Sequence, residues 1–265
     1  MAEVMKVSKS GYYQWRKRYG RVDPEEESWK GLIDSIYEEH RGRYGYRRIT
    51  KEIRRRGLQI NKKHVRRLMK EMNLRAITPR RRKKKTNSDH REPISENILN
   101  REFKPEQSRK VWLSDITYIK TTEGWLYLTV VMDLSSRRIL SWVLSETLEK
   151  ESVIQAFVKA SQKYEITADA IFHSDRGKQY ASYEFRGELE KYGFRQSISG
   201  TGNCYDNAPM ESFFHTLKNE LLIKKAIDSK LSTRLMIFEY IEFYYNKKRL
   251  HSSLKYRTPD EVFFS

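Results

Sequence analysis

Residues 111–120 read VWLSDITYIK, followed by WLYLTVVMDL at 125–134 and RRILSWVL at 137–144. β-Branched and aromatic residues dominate all three runs, and the breaks at Glu123-Gly124 and Ser135-Ser136 are short and turn-like. This is the pattern of an antiparallel meander. Downstream, Val153, Ile154, Phe157 and Val158 recur at helical spacing, predicting a helix from about Glu149 to Tyr164. A short strand AIFH (170–173), a helix near Ser182 to Tyr192 and a short strand FRQS (194–197) follow. The Gly/Asn-rich loop SGTGNCYDN (199–207) leads into a long helix expected from about Pro209 to Lys225, with a last helix from about Ser232 to Tyr245. The order βββαβαβα is that of an α/β domain of the ribonuclease-H-like class with a mixed sheet.

Upstream of Val111 the composition changes. The 265-residue chain carries net charge +18, and residues 1–110 hold 32 Lys+Arg against 15 Asp+Glu, or +17, leaving +1 for residues 111–265. Such an asymmetric field attracts polyanions, nucleic acid phosphates foremost. Residues 3–19 predict a short basic helix broken near Ser10-Gly11, and Pro24 with Glu25 to Glu27 predicts the first turn of the next, carrying Trp29, Leu32, Ile33 and Ile36. Two further helices are expected. One runs from about Arg47 to Arg56 and ends at Gly57; the other is N-capped by Asn61 and carries Val65, Leu68, Met69 and Met72 as its apolar stripe. Joined by a tight turn, they fit a helix-turn-helix module in which Arg66 and Arg67 are candidate DNA contacts. A plain small helical bundle is the alternative. Residues 78–110 read as an extended basic linker, in which the consecutive cations Arg80, Arg81, Arg82, Lys83, Lys84 and Lys85 are expected to track phosphates. The expected organisation is a helical DNA-binding region at 1–77, this linker, a catalytic core at 111–226, and a C-terminal helix with a basic tail at 227–265.

No apolar run approaches the ~18 residues of a membrane span, and the first residues lack the apolar stretch of a signal peptide. A membrane protein is excluded and a cytoplasmic one expected. The single cysteine, Cys204, excludes an internal disulfide and any zinc site that needs two thiolates.

Three carboxylates stand in unusual places. Asp115 lies mid-strand, where Asp is poorly tolerated unless solvated, paired or metal-bound. Asp175 follows AIFH in HSDRGKQY, at a strand's carboxyl end, where open α/β sheets place their sites. Glu211 falls in the first turn of the long helix. Each has an ordinary alternative: an ion pair for Asp115, turn chemistry for Asp175, and complementing the helix dipole for Glu211. As a set in this fold they are expected to converge at one edge of the sheet. Three such carboxylates suit hard divalent cations, and two ions ~4 Å apart would stabilise the attacking and leaving oxygens of an in-line phosphoryl displacement.

WLSDITYI, HSDRGKQY, CYDNAPMESFFHTLKNEL and the ending YYNKKRLHSSLKYRTP together resemble the DDE transposases of the IS-three family of bacterial insertion sequences, specifically their second-reading-frame protein, within the retroviral-integrase superfamily. The resemblance runs from VSKSGYYQWRKR through RGRYGYRRI to the C-terminus, with 35 residues between Asp175 and Glu211. It implies an integrase-type catalytic core in which Asp115, Asp175 and Glu211 bind Mg²⁺ or Mn²⁺. The implied activity is cleavage of the element's 3′ ends and joining of the freed 3′-OH to another phosphodiester. It also implies double-stranded DNA as substrate, at least a dimer when two ends are synapsed, and an upstream-frame protein as a further partner. An inert DNA-binding regulator and a plain metal-dependent nuclease of the same fold are the competing readings.

Around the acids, Arg176 and Lys178 flank Asp175, while His215 and Lys218 follow Glu211 at i+4 and i+7 on one helix face. All four are candidate DNA contacts, with an ordinary polar face as the alternative for the latter two and an internal ion pair for Arg176. His173 is expected to make a structural hydrogen bond.

Overall fold

The computed structural model describes residues 8–18, 23–77, 95–99, 110–200, 204–222 and 229–265. The chain divides into two units, Met1–Ile77 and Thr78–Ser265.

The first unit is helical: α1 (Lys9–Arg18), α2 (Pro24–Glu39), α3 (Tyr46–Arg55) and α4 (Lys62–Glu71). Helix α1 does not break at Ser10-Gly11 as expected. Ser8 Oγ accepts from Gly11 N–H at 3.0 Å, so these residues form a capped first turn, where glycine is cheap. In α2, Pro24 occupies the first turn and Asp23 caps Glu25 N–H. Asn61 caps α4 through Lys63 N–H at 2.8 Å. Gly57 takes φ +86° just after α3, the left-handed backbone that ends a helix. Ile33, Ile36, Ile49, Ile53, Val65 and Leu68 are all fully buried and form the unit's core.

In the second unit β1 (Val111–Thr121), β2 (Gly124–Asp133) and β3 (Ile139–Ser145) form the expected meander. Helix α5 (Lys150–Lys163), β4 (Ile171–Ser174), α6 (Lys178–Ala181), α7 (Tyr183–Lys191) and β5 (Arg195–Ile198) follow. The sheet runs β3-β2-β1-β4-β5, antiparallel across the meander and parallel from β1 to β5. One face packs on α5 and α7 around Phe157, whose ring meets Phe172, Phe185, Tyr192 and Phe194 edge-on at 5.3–5.8 Å.

The other face receives α8 (Ala208–Leu217), which buries Met210, Phe213, Phe214 and Leu217. The long helix expected here changes pitch: Lys218–Leu222 is a π-helical turn. The last long helix behaves likewise, α9 (Lys230–Phe238) passing into a π-helical stretch, Glu239–Tyr245. Beyond it the expected basic tail is packed instead. Asn246 exchanges two hydrogen bonds with the backbone of Ile139 on the edge strand β3. Arg138 then holds α10 (Pro259–Phe263), a helix absent from the sequence reading, by an ion pair to Asp260 at 2.6 Å and by lying over Tyr164, Phe263 and Phe264. Within the expected linker, residues 95–99 lie along β5, with Ile98 N–H on Ser197 Oγ and Leu99 buried. No helix among the described residues is long and apolar enough to cross a membrane.

Candidate active site

The parallel ladder between β1 and β4 ends at Ser114 opposite Ser174, so Asp115 and Asp175 are the next residues on two neighbouring central strands. Asp115 is half-buried and accepts from its neighbour Ile116 N–H at 2.7 Å. Asp175 is exposed and turns back to accept from Gly177 N–H at 3.0 Å. A Cβ at position 177 would stand 3.1 Å from Asp175 Oδ1 and 3.0 Å from Gln179 Oε1, so glycine lets this turn close. Helix α8 brings the third acid. Its N-terminal neighbour Asn207 donates from Nδ2 to Ser114 O at 3.1 Å, fastening the helix start to β1 one residue before Asp115. Buried Asp206 anchors the same corner by accepting from Gly200 N–H and Asn97 Nδ2.

Electrostatics ties the three acids together. Burial raises the Asp115 carboxyl well above its ordinary pKa, the charges of Asp175 and Glu211 push it further, and Lys218 pulls it down. Glu211 is raised by burial. Thus Asp115 feels the charges of Asp175, Glu211 and Lys218 together, the two acids raising its carboxyl and the lysine lowering it. Among the described residues no group of three or more His, Cys, Asp or Glu side chains is gathered tightly enough to hold a metal ion. The acids are neighbours without being a closed ligand set. Their donor chemistry nonetheless fits a hard divalent cation: carboxylate oxygens are hard donors, the charges of Asp175 and Glu211 raise the Asp115 carboxyl, and Asn207 Oδ1 is a buried acceptor with no partner among the described residues, suited to water on a hydrated ion.

Of the surrounding candidates, Arg176 spends Nε on Ser199 O at 2.8 Å, and Lys178 is exposed at the start of α6. His215 is exposed on α8, and Lys218 is half-buried at the junction with the π-helical turn. His173 is fully buried between Ser197 Oγ at 2.9 Å and Ser199 Oγ at 3.2 Å; burial lowers its pKa to about 4, so it is a neutral structural group. In the first unit Arg66 is exposed beside the Tyr46 ring, while Arg67 is held by Glu26 and Glu71, both at 2.7 Å. The expected contacts Arg80, Arg81, Arg82, Lys83, Lys84 and Lys85 lie outside the described residues.

Comparison with known proteins bears on this geometry. Family models described as Integrase core domain match residues 105–204 and 192–259, and an HTH-like domain matches 24–83. The chain is 39% identical to the 31 kDa protein of insertion element IS600 from Shigella sonnei, over 96% of this chain and 94% of that one. It is also 39% identical to the transposase of insertion sequence element IS904 from Lactococcus lactis (92% and 97% covered). Identity is 36% to transposase InsF of insertion sequence IS3A from Escherichia coli (95% and 88% covered). The chain belongs to the IS3 family of insertion-sequence transposases. Its fold is also that of a chain in the simian T-cell lymphotropic virus intasome complexed with PP2A regulatory subunit B56 gamma, at TM-score 0.51 and 16% identity over 88% of this chain and 74% of that one.

The transposase is accordingly a polynucleotidyl transferase of the integrase-core type. Two features of its site were invisible to sequence reasoning. Tyr180 is buried and its hydroxyl meets Ser114 Oγ at 2.8 Å, bracing β1 immediately before Asp115. Asn207 braces the same residue through its carbonyl. Tyr180 sits in HSDRGKQY and Asn207 in CYDNAP, so proximity to the acids in sequence was the available signal, but nothing local told bracing from solvent contact.

Proposed function

We propose that this transposase cleaves its element at the 3′ ends and joins each freed 3′-OH to a target phosphodiester, with Asp115, Asp175 and Glu211 as the metal-binding catalytic acids. What supports this reading is the placement of Asp115 and Asp175 beyond the ends of the paired segments of neighbouring strands β1 and β4, with the charges of Asp175 and Glu211 both raising the Asp115 carboxyl. Two Mg²⁺ or Mn²⁺ ions, when bound, would neutralise charge developing on the attacking and leaving oxygens. In the joining step the 3′ oxygen forms a bond to phosphorus, the target's bridging P–O3′ bond breaks, and the departing oxygen takes up a proton. The chain's own part is to fix geometry: Ser114 and Ser174 hold the two aspartates in register, Asn207 sets the start of α8, and Lys218 adds a positive charge where a phosphate would enter. Residues 1–77 and the cations Arg80 to Lys85 would hold double-stranded DNA, including the terminal repeats, in the cytoplasm near the nucleoid. Pairing two element ends calls for at least a dimer, with the upstream-frame protein as a further partner.

Incubating the protein with Mg²⁺ and a duplex carrying the element's terminal repeat tests this reading. Joined products are expected, and Glu211→Gln should bind the duplex normally while losing at least ~10²-fold in joining, the scale for removing one preorganised electrostatic group. Cleavage without joining would make the protein a nuclease, and undiminished joining by Glu211→Gln would remove the mechanism.

A further inference from the structure

Strand β5 is an outer strand of the sheet, and a segment from far upstream in the chain covers it. Glu96 O accepts from Ile198 N–H at 3.3 Å, Ser95 Oγ donates to Gln196 Oε1 at 2.9 Å, and Leu99 is buried. Covering an open edge hides backbone donors and acceptors that would otherwise recruit another chain. Backbone pairing and one apolar anchor are enough for that task. Residues 95–99 do more, because two lines of hydrogen bonds run from them to the corner that carries the acids.

The first line starts at Asn97. Its Nδ2 donates to Asp206 Oδ2 at 2.9 Å, and the same oxygen accepts from Gly200 N–H at 2.8 Å. Asp206 is buried just before α8, the helix that carries Glu211 in its first turn. The next residue, Asn207, ties that corner to Ser114 O, one residue before Asp115. The second line starts at Ser197, fully buried, whose Oγ accepts from Ile98 N–H at 3.0 Å and Leu99 N–H at 3.2 Å. That oxygen also meets His173 Nδ1 at 2.9 Å. His173 Nε2 meets Ser199 Oγ, which donates to Ser174 O at 3.1 Å, one residue before Asp175. Buried polar networks of this kind are rigid, so each line fixes a backbone point beside an acid.

We propose that Asn97 is a positioning residue for DNA cleavage and joining. Residues 95–99 act as a strap that, through Asp206, sets the start of α8 and so the place of Glu211 relative to the two aspartates. This rests on the strand-transfer reading above. The working core then reaches upstream of β1, into a stretch that the sequence presents as linker.

Asn97→Ala and Ser95→Ala make a matched pair, since both residues are half-buried and each gives up a 2.9 Å bond. Ser95→Ala leaves Gln196 its own bond to Tyr180 O. The full chain is assayed with Mg²⁺ and a duplex carrying the terminal repeat. Asn97→Ala should cleave and join roughly tenfold more slowly at saturating DNA, within the ~10²-fold that a 1 Å misplacement costs. Its DNA affinity should equal that of wild type. Ser95→Ala should react at the wild-type rate, although both variants should melt slightly below wild type. If Asn97→Ala does not fold, Asn97→Gln, which moves the amide outward by one methylene, should show the same slowing. Equal slowing by Ser95→Ala would make the segment an edge cover only, and slowing that saturating DNA abolishes would make Asn97 a DNA contact; either overturns the strap. An Asn97 variant that keeps pace with an active wild type overturns the strap alone and leaves the transposase reading standing. A wild type that neither cleaves nor joins sinks both.

Discussion

Two groups of charge lie along α8 and the π-helical turn that continues it, one partly exposed and one buried, and they are built on opposite principles. At the start of the helix Glu211 joins Asp115 and Asp175, whose charges reinforce one another. Past its end Glu220 is paired with Arg249: Nη2 meets Oε1 at 2.7 Å, Nε meets both carboxylate oxygens at 2.9 and 3.1 Å, and the Tyr240 hydroxyl donates to Oε2 at 2.9 Å. Both side chains of this pair are less than a tenth exposed. Burial alone would pull Arg249 down, yet Glu220 carries it above its ordinary pKa. At Asp115 burial and the neighbouring acids act in the same direction and outweigh Lys218; at Arg249 burial and the neighbouring acid oppose, and the pairing wins. A buried pair is costly to break because breaking it strands a charge, whereas carboxylates that raise one another's pKa are the arrangement functional sites hold.

The sharpest way to break this contrast is to unbalance the balanced group. Arg249→Met leaves Glu220 buried without its cation and should destabilise the protein by roughly 3–5 kcal/mol in chemical denaturation. Removing the carboxylate as well, in Arg249→Met with Glu220→Leu, should recover most of that loss. A single variant within about 1 kcal/mol of wild type would mean that Glu220 is neutralised by other means, and the distinction between the two groups would fail.

How far the sequence announced these features depends on the range of the signal. The meander was legible because alternation and turn residues are local, and so were the caps at Pro24 and Asn61. The place of Asp115 was legible because a charge inside an apolar strand is costly, and that of Asp175 because it follows the carboxyl end of the strand AIFH. The Arg249–Glu220 pair was not: its partners are 29 residues apart, and Lys247-Lys248-Arg249 reads as a basic tail until the fold buries its last member. Arg138 misleads in the same way beside Arg137. The π-helical turns were illegible, because widening from i+4 to i+5 bonding is decided by packing against neighbours rather than by propensity. Helix α10 was missed although its signal is local: Thr258 and Glu261 form a reciprocal capping box across Pro259 and Asp260. A five-residue helix simply falls below the length at which periodicity can be read.

The unbalanced group makes the opposite prediction for stability. The native Asp115 carboxyl holds its proton more tightly than the unfolded one. The stability that protonation brings is therefore present below the unfolded pKa and lost as pH rises through the folded one. Asp115→Asn, inactive in joining, should thus melt above the metal-free wild type at neutral pH, by roughly 2–4 °C for each kcal/mol of repulsion relieved. The difference should vanish in acid, below the ordinary aspartate range. Added Mg²⁺ should raise the wild type's Tm and leave the variant's unchanged. A variant that melts lower at neutral pH would show the acids to be compensated after all.

The smallest expected effect concerns the brace behind Asp115. Tyr180→Phe removes a single buried hydroxyl from Ser114 while keeping the ring in the aromatic core, where it meets Phe185 at 5.8 Å. Losing one such bond should cost about 1 kcal/mol of stability. A purely structural role would end there. A positioning role should also slow joining several-fold at saturating DNA, with DNA affinity unchanged, because Ser114 sets the register from which Asp115 departs. Ser114→Ala should reproduce the slowing, and the double variant should be no slower than either single one, since both remove the same bond. Additive slowing would mean that the two residues act separately, leaving Asn207 as the remaining brace on Ser114.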